Sequence, residues 1–264
     1  MNRPLAPGSR LASTGVYTRA GTRVVDLRDV RWLDPVHLVT VAASAHAAQR
    51  DGIGFRLHGP TAPHLARYAA RMQLGVVVGG LGFEHDLPPA PDAAGADHLV
   101  EVGLVRDARR LAEVVHDRVA ELDATLARVL HQAIAEIGEN VHQHAQSVGY
   151  VAAQTIPRRG ELRFAVADPG VGLHATLAAR GAGSDHAAIE LALEGVSRTP
   201  HGGTGVRETV AAVTMAGGYV YLASGGAATM VTSQRRVTSS GAPFAGTIVE
   251  GRVPTRRTRG TMGS

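Results

Sequence analysis

The chain contains no cysteine, which removes disulfides, thiolate metal sites and cysteine nucleophiles together. Lysine is missing as well, since every residue in the Lys+Arg count of 27 is an arginine. Schiff-base chemistry and the lysine of a Walker A loop go with it. A nucleotide site in this chain must therefore belong to another class of phosphate binder. No apolar run approaches the roughly 20 residues that a spanning helix needs, so no membrane association is expected. Met1 to Arg10 lack a charged-then-apolar signal pattern, and a cytoplasmic location is the expectation. The basic excess is modest, +4 over 264 residues, and part of it sits in a tail from Arg252 to Arg259. No aromatic residues interleave with those arginines, as a stacking surface would require. The tail reads as solvated, and nucleic acid is not an expected partner.

What is present suits one large domain or two small ones, at an ordinary 44% hydrophobic content. Residues 1–20 are rich in Pro, Gly, Ser and Thr and read as a flexible N-terminus. In residues 21–90 strands alternate with helices: Arg23 to Leu27, a helix opened by Asp34-Pro35 and running to Arg50, Gly54 to His58, and a helix from Ala62 to Met72. That alternation predicts a small α/β unit. Three prolines between Glu84 and Asp97 mark a linker. In residues 98–254, a short strand at Leu99 to Val102 precedes apolar residues at three- and four-residue intervals from Val105 to Ser147. These predict one or two amphipathic helices, broken near Leu122-Asp123. Strands follow at Val151 to Ile156 and Leu162 to Ala167, then a polar, Gly-rich stretch and a helix from Arg207 to Met215. Three more strands are expected at Tyr219 to Ala223, Ala228 to Ser233 and Thr247 to Val253. The fold class is α/β in two domains, the second an α/β sandwich, and residues 255–264 form the basic tail.

Three motifs carry chemistry. Glu136, Asn140 and His144 recur at i, i+4, i+8 and form one stripe of a helix. A carboxylate there can take a proton from a hydroxyl or water, and an amide offers a hard oxygen to Mg²⁺. Taken alone, the stripe is more often a solvated helix face. His142 and His144, two residues apart, lie on different faces, which argues against a zinc site. Asp168-Pro169-Gly170-Val171-Gly172 ends an apolar strand, where the aspartate could accept from an exocyclic amine; the same pattern is equally a plain turn. Gly202-Gly203-Thr204-Gly205 leads into a helix whose free backbone amides suit an anion, or it is a connector. Gly246-Thr247 opens the last strand, from which the hydroxyl could support Asp168 if the strands are neighbours.

These signals occur in one order, and about Leu111 to Pro254 resembles the GHKL superfamily of ATP-binding domains. Glu136-x-x-x-Asn140-x-x-x-His144 resembles its N box, Asp168-x-Gly170-x-Gly172 its G1 box and Gly203-x-Gly205 its G2 box, with Gly246-Thr247 at the closing strand. The resemblance implies ATP and Mg²⁺ as ligands. Adenine would be held by Asp168 and Thr247, with Gly170 and Gly172 bringing the backbone close to it. Mg²⁺ would be held by Asn140 with His144 beside it. The phosphates would lie against Gly203, Thr204 and Gly205, under a mobile lid from Leu173 to Gly202. The chain departs from the family pattern at Val206, where leucine is usual, and at Arg207.

Within the superfamily, the N box and short lid are most similar to the anti-sigma-factor serine kinases, in which Glu136 would be the catalytic base. No phosphoacceptor histidine is set up as in sensor kinases, because His131 lies too close to the N box. Gyrase, chaperone and mismatch-repair roles draw on a transducer domain and its lysine. Residues 21–90 resemble a STAS domain, on the match of Val24 to Asp34. That family's phosphorylatable serine would follow the aspartate, yet Pro35-Val36-His37 follows here. This unit is therefore expected to dock or regulate rather than to be a substrate. The expected function is ATP-dependent serine/threonine phosphorylation of a partner protein, of the STAS-domain or sigma-factor-regulator kind, with homodimerisation left open. A non-catalytic module sensing ATP or ADP and a small ATPase are the alternatives.

Overall fold

The computed structural model describes residues 15–19, 21–91, 99–104, 108–120, 124–144, 148–197 and 204–255. The side chains at 15–17, 108, 118, 133, 139–144, 204, 241 and 242 lie outside that description. Asp34 stands in extended conformation ahead of Pro35, and helix α1 (Pro35–Arg50) begins there, where the proline's missing N–H costs nothing. Strands β1 (Gly15–Arg19), β2 (Thr22–Asp26), β3 (Gly54–His58) and β4 (Glu84–His85) form one sheet in that order. β1 pairs antiparallel with β2, and the other two pairings are parallel. Helices α2 (Pro63–Arg71) and α3 (Leu74–Gly80) connect β3 to β4. Two of these elements correct the sequence reading. Gly15–Arg19 is a strand rather than flexible chain, because it completes the ladder of β2. The stretch read as linker begins with β4.

The second sheet is antiparallel throughout and has five strands: β5 (Leu99–Leu104), β6 (Tyr150–Ile156), β7 (Glu161–Asp168), β8 (Tyr219–Thr232) and β9 (Arg236–Pro254). Their spatial order is β5-β6-β7-β9-β8. Helices α4 (Ala108–Ala120) and α5 (Ala124–His144) precede β6. Then α6 (Gly172–Leu177), α7 (Asp185–Leu193) and α8 (Thr204–Met215) lie between β7 and β8. The break expected near Leu122-Asp123 lies outside the described residues, between α4 and α5. The hairpin expected between Tyr219 and Ser233 is instead a single strand. Gly225-Gly226 makes a register irregularity in β8, and Gly226 N–H is taken up by Asp185 Oδ2 at 2.7 Å. The reversal comes later, where Thr232 and Arg235 close the turn into β9.

Alternation along the strands sends their side chains to two different cores. Leu162, Phe164 and Val166 of β7 join Leu111, Val115, Leu130, Ile134 and Ile137 of α4 and α5. Ala165 and Ala167 of β7, Ala152 of β6 and Ala223 of β8 face the other way, into a cluster with Leu38, Val39, Ala42 and Ala45 of α1. That second cluster also holds Val25, Phe55 and Leu57 of the four-stranded sheet and Leu27 just past β2. Small residues on both partners let the helix axis approach the sheet closely. Twelve of the sixteen residues of α1 are buried, which is the pattern of a helix enclosed on every side rather than a surface helix. The layers therefore run four-stranded sheet, α1, five-stranded sheet, helices. Backbone bonding crosses the same boundary, with Val102 N–H of β5 donating to the Met72 carbonyl at 3.0 Å. The molecule is mixed α/β, and no helix among the described residues is long and apolar enough to cross a membrane.

Candidate functional site

Asp168 is the last residue of β7 and is 5% exposed, an unusual position for a carboxylate. Gly170 N–H donates to its Oδ1 at 2.8 Å. Thr247, its register partner on β9, directs both its backbone N–H and its hydroxyl at the same carboxylate. Burial is the largest influence and pushes the carboxyl up to about 6, against the pull of those three donors. Two carboxylate oxygens accept about four hydrogen bonds. Those three internal donors are one fewer than that capacity.

The turn after Asp168 is built for close backbone contact. A Cβ on Gly246 would stand 1.8 Å from the Asp168 carbonyl oxygen and 3.1 Å from Gly170 N, so only glycine fits where β9 passes. Gly172 has φ +78° and opens α6 in the left-handed region, where an added Cβ would meet Ser224 Oγ at 2.9 Å. Ser224 on β8 locks this corner. Its hydroxyl donates to the Gly246 carbonyl at 2.8 Å and accepts from Leu173 N–H at 2.8 Å. A further contact comes from α1, where Arg50 Nη1 donates to the Pro169 carbonyl at 2.5 Å and Arg50 Nε pairs with Asp51 at 2.9 Å. No local pattern points to Ser224 or Arg50, which meet the turn only through tertiary structure. The Asp168–Thr247 pairing, by contrast, is as expected.

α5 runs without interruption through positions 136, 140 and 144, which therefore share a face. Glu136 is half-buried, and Ile134 and Ile137 on the adjoining stripe are buried in the core. The side chains of Asn140, His142 and His144 lie outside the described residues. α5 packs against α8 and touches β7. Gly203 lies outside the described residues, Thr204 is the first residue of α8, and Gly205 is buried. Among the described residues no group of three or more His, Asp or Glu side chains could hold a metal. Asn140 falls outside that set.

The stretch expected to be a mobile lid, Leu173 to Gly202, carries α6 and α7 as far as it is described, to Ser197. Leu177, Ala188, Ile189 and Leu193 of α6 and α7 are buried in the first core. Ser184 caps α7 by accepting from Ala187 N–H at 3.1 Å. The abundance of Ala and Gly masked this three- and four-residue apolar spacing. Residues 198–202 lie outside the description.

A second polar cluster lies at the other end of α1. Asp34 is 2% exposed and takes Arg163 Nη1 at 2.8 Å and Trp32 Nε1 at 3.2 Å on Oδ2, with His37 Nδ1 at 2.5 Å from Oδ1. Arg163 of β7 also donates to Glu161 Oε1 at 3.0 and 2.6 Å, and Glu161 in turn pairs with Arg252. The Arg159 and Arg163 guanidinium groups lie 5.0 and 5.3 Å from the centre of the Trp32 ring. Pro35, where the STAS pattern would carry a serine, is buried beside this network. A scan of protein-family models finds no match to this chain, and a search of curated proteins finds none either.

Proposed function

We propose that the chain is a Mg·ATP-binding regulatory protein, with a GHKL-type nucleotide-binding unit in residues 98–254 and a STAS-like unit in residues 21–90. It would transfer phosphate from ATP to a serine or threonine of a partner protein. The observation that carries this reading is the Asp168 corner. A buried carboxylate with spare acceptor capacity ends a strand, beside glycines whose backbone can lie against a flat base. That acceptor fits the exocyclic amine of adenine, with Thr247 orienting the carboxylate. The hard oxygen of Asn140 fits Mg²⁺, which takes oxygen ligands and keeps several waters. When bound, the ion would neutralise charge on the phosphate oxygens.

Glu136 is the base of this scheme. It accepts the proton of the attacking hydroxyl as that oxygen bonds to the terminal phosphorus, and the bond from phosphorus to the ADP oxygen breaks. Gly203, Thr204 and Gly205, at the start of α8, would hold the phosphates through backbone N–H groups. Incubation with radiolabelled ATP and a STAS-type partner tests the transfer. The wild type should label the partner, and Glu136→Ala should lose about 10²–10⁴-fold in rate while still binding ATP. Unchanged labelling by Glu136→Ala would remove Glu136 from the chemistry.

A second reading, a nucleotide sensor without turnover, is favoured by the burial of Pro35 and by the contact of α1 with the Asp168 turn. A wild type that binds ATP but neither labels a partner nor releases phosphate would select it.

A further inference from the structure

The peptide unit between Pro169 and Gly170 is held from both sides. Its N–H points at Asp168 Oδ1, 2.8 Å away, and its carbonyl accepts from Arg50 Nη1 at 2.5 Å. A trans peptide directs these two groups in opposite directions, so the guanidinium and the carboxylate face each other across one amide. A cation on the carbonyl polarises the amide and strengthens the bond that its N–H donates. Arg50 is the last residue of α1, which belongs to the N-terminal part of the chain. The same helix is fastened at its other end, where Asp34 receives Arg163 of β7 at 2.8 Å. The helix thus lies along β7, tied near the strand's start by an ion pair and just past its end by Arg50. Both ties reach the strand that carries Asp168.

From this geometry we propose that Arg50 is a positioning residue for adenine recognition, through which the N-terminal unit sets ATP affinity. The inference rests on the nucleotide reading of Asp168. Arg50 acts on the carboxylate and its turn, not on the phosphates. Removing it frees the 169–170 peptide to rotate, and Asp168 loses its best-aligned donor. Adenine recognition then weakens, while contacts made to the phosphate chain are untouched. By linkage, a partner that shifts α1 changes affinity for ATP, and ATP changes affinity for that partner by the same factor.

Calorimetry with three probes, Mg·ATP, Mg·GTP and magnesium tripolyphosphate, tests this on the full chain as wild type, Arg50→Met and Arg50→Lys. Arg50→Met should bind ATP about tenfold more weakly, the size expected for one charge-assisted hydrogen bond. Its affinity for tripolyphosphate and GTP and its thermal midpoint should stay unchanged. Arg50→Lys should recover most of the loss, because an ammonium can still reach the carbonyl. Equal ATP affinity in Arg50→Met and wild type would overturn the role of Arg50 and leave the site standing. So would a loss shared equally by ATP and tripolyphosphate, which would mark general damage. A wild type that binds none of the three probes would instead overturn the nucleotide reading, and this inference with it.

Discussion

Asp168 links burial, protonation and recognition in one side chain. Its unfolded-state pKa is near the ordinary ~3.9, and burial in the native state pushes it up to about 6. Below about pH 4 the carboxyl is protonated in both states. Between about 4 and 6 the native state binds the extra proton, so stability falls as pH rises through that window and is level above it. Two units correspond to about 3 kcal/mol. The proposed adenine recognition has the opposite dependence, because a carboxylate accepts from an amine more strongly than the neutral acid does. Urea unfolding of the ligand-free protein at pH 4.5 and 7 should show this loss in wild type and not in Asp168→Asn. The comparison between the two proteins cancels His46, whose own titration burial moves down from 6.5 toward the same range. A pH dependence identical in both would mean that Asp168 is not the titrating group. At this scale the sequence was informative where partners are close in the pattern. Asp168, Gly170 and Thr247 were legible as a set. Ser224 and Arg50 were not, because a single hydroxyl or guanidinium reaching a turn from a distant element leaves no local trace.

Among the elements, α1 has the largest structural role. It reads as a plain alanine-rich helix, and its boundaries are legible from Asp34-Pro35 at the start and Arg50 at the end. Its enclosure was also written in the sequence, in a place easily missed. The strand positions that would be polar on a solvated sheet face are alanines at 152, 165, 167 and 223, which marks a second covered face. β8 shows the converse problem. Gly225-Gly226 looks like a hairpin turn, yet it is an irregularity within one strand, since a carboxylate on α7 takes the freed N–H. The ion-pair network at the head of α1 supplies the element-scale test. Arg163→Met would take from the buried Asp34 and Glu161 the guanidinium they share, leaving Arg252 on Glu161 and His37 on Asp34, a loss of about 3–5 kcal/mol. Urea unfolding monitored by Trp32 fluorescence and by far-ultraviolet dichroism should show one shared transition, moved to lower denaturant. A change below about 1 kcal/mol would mean that water already serves those carboxylates.

Over the whole molecule, the apolar cluster around α1 joins the four-stranded sheet to the five-stranded one without a break. The sequence suggested two α/β units separated by a Pro-rich linker. It did not reveal that one helix serves both, because nothing local distinguishes a helix packed on one sheet from a helix packed between two. That shared helix is what brings the N-terminal part of the chain to the Asp168 turn. It gives the nucleotide proposal a structural consequence: events at either part are felt by the other. Calorimetric titration of Mg·ATP into wild type and Asp168→Asn at pH 7.5 tests the central claim most directly. The account predicts binding by the wild type and affinity about 10–100-fold weaker in the variant, with the fold unchanged. Equal affinity in the two proteins would contradict it.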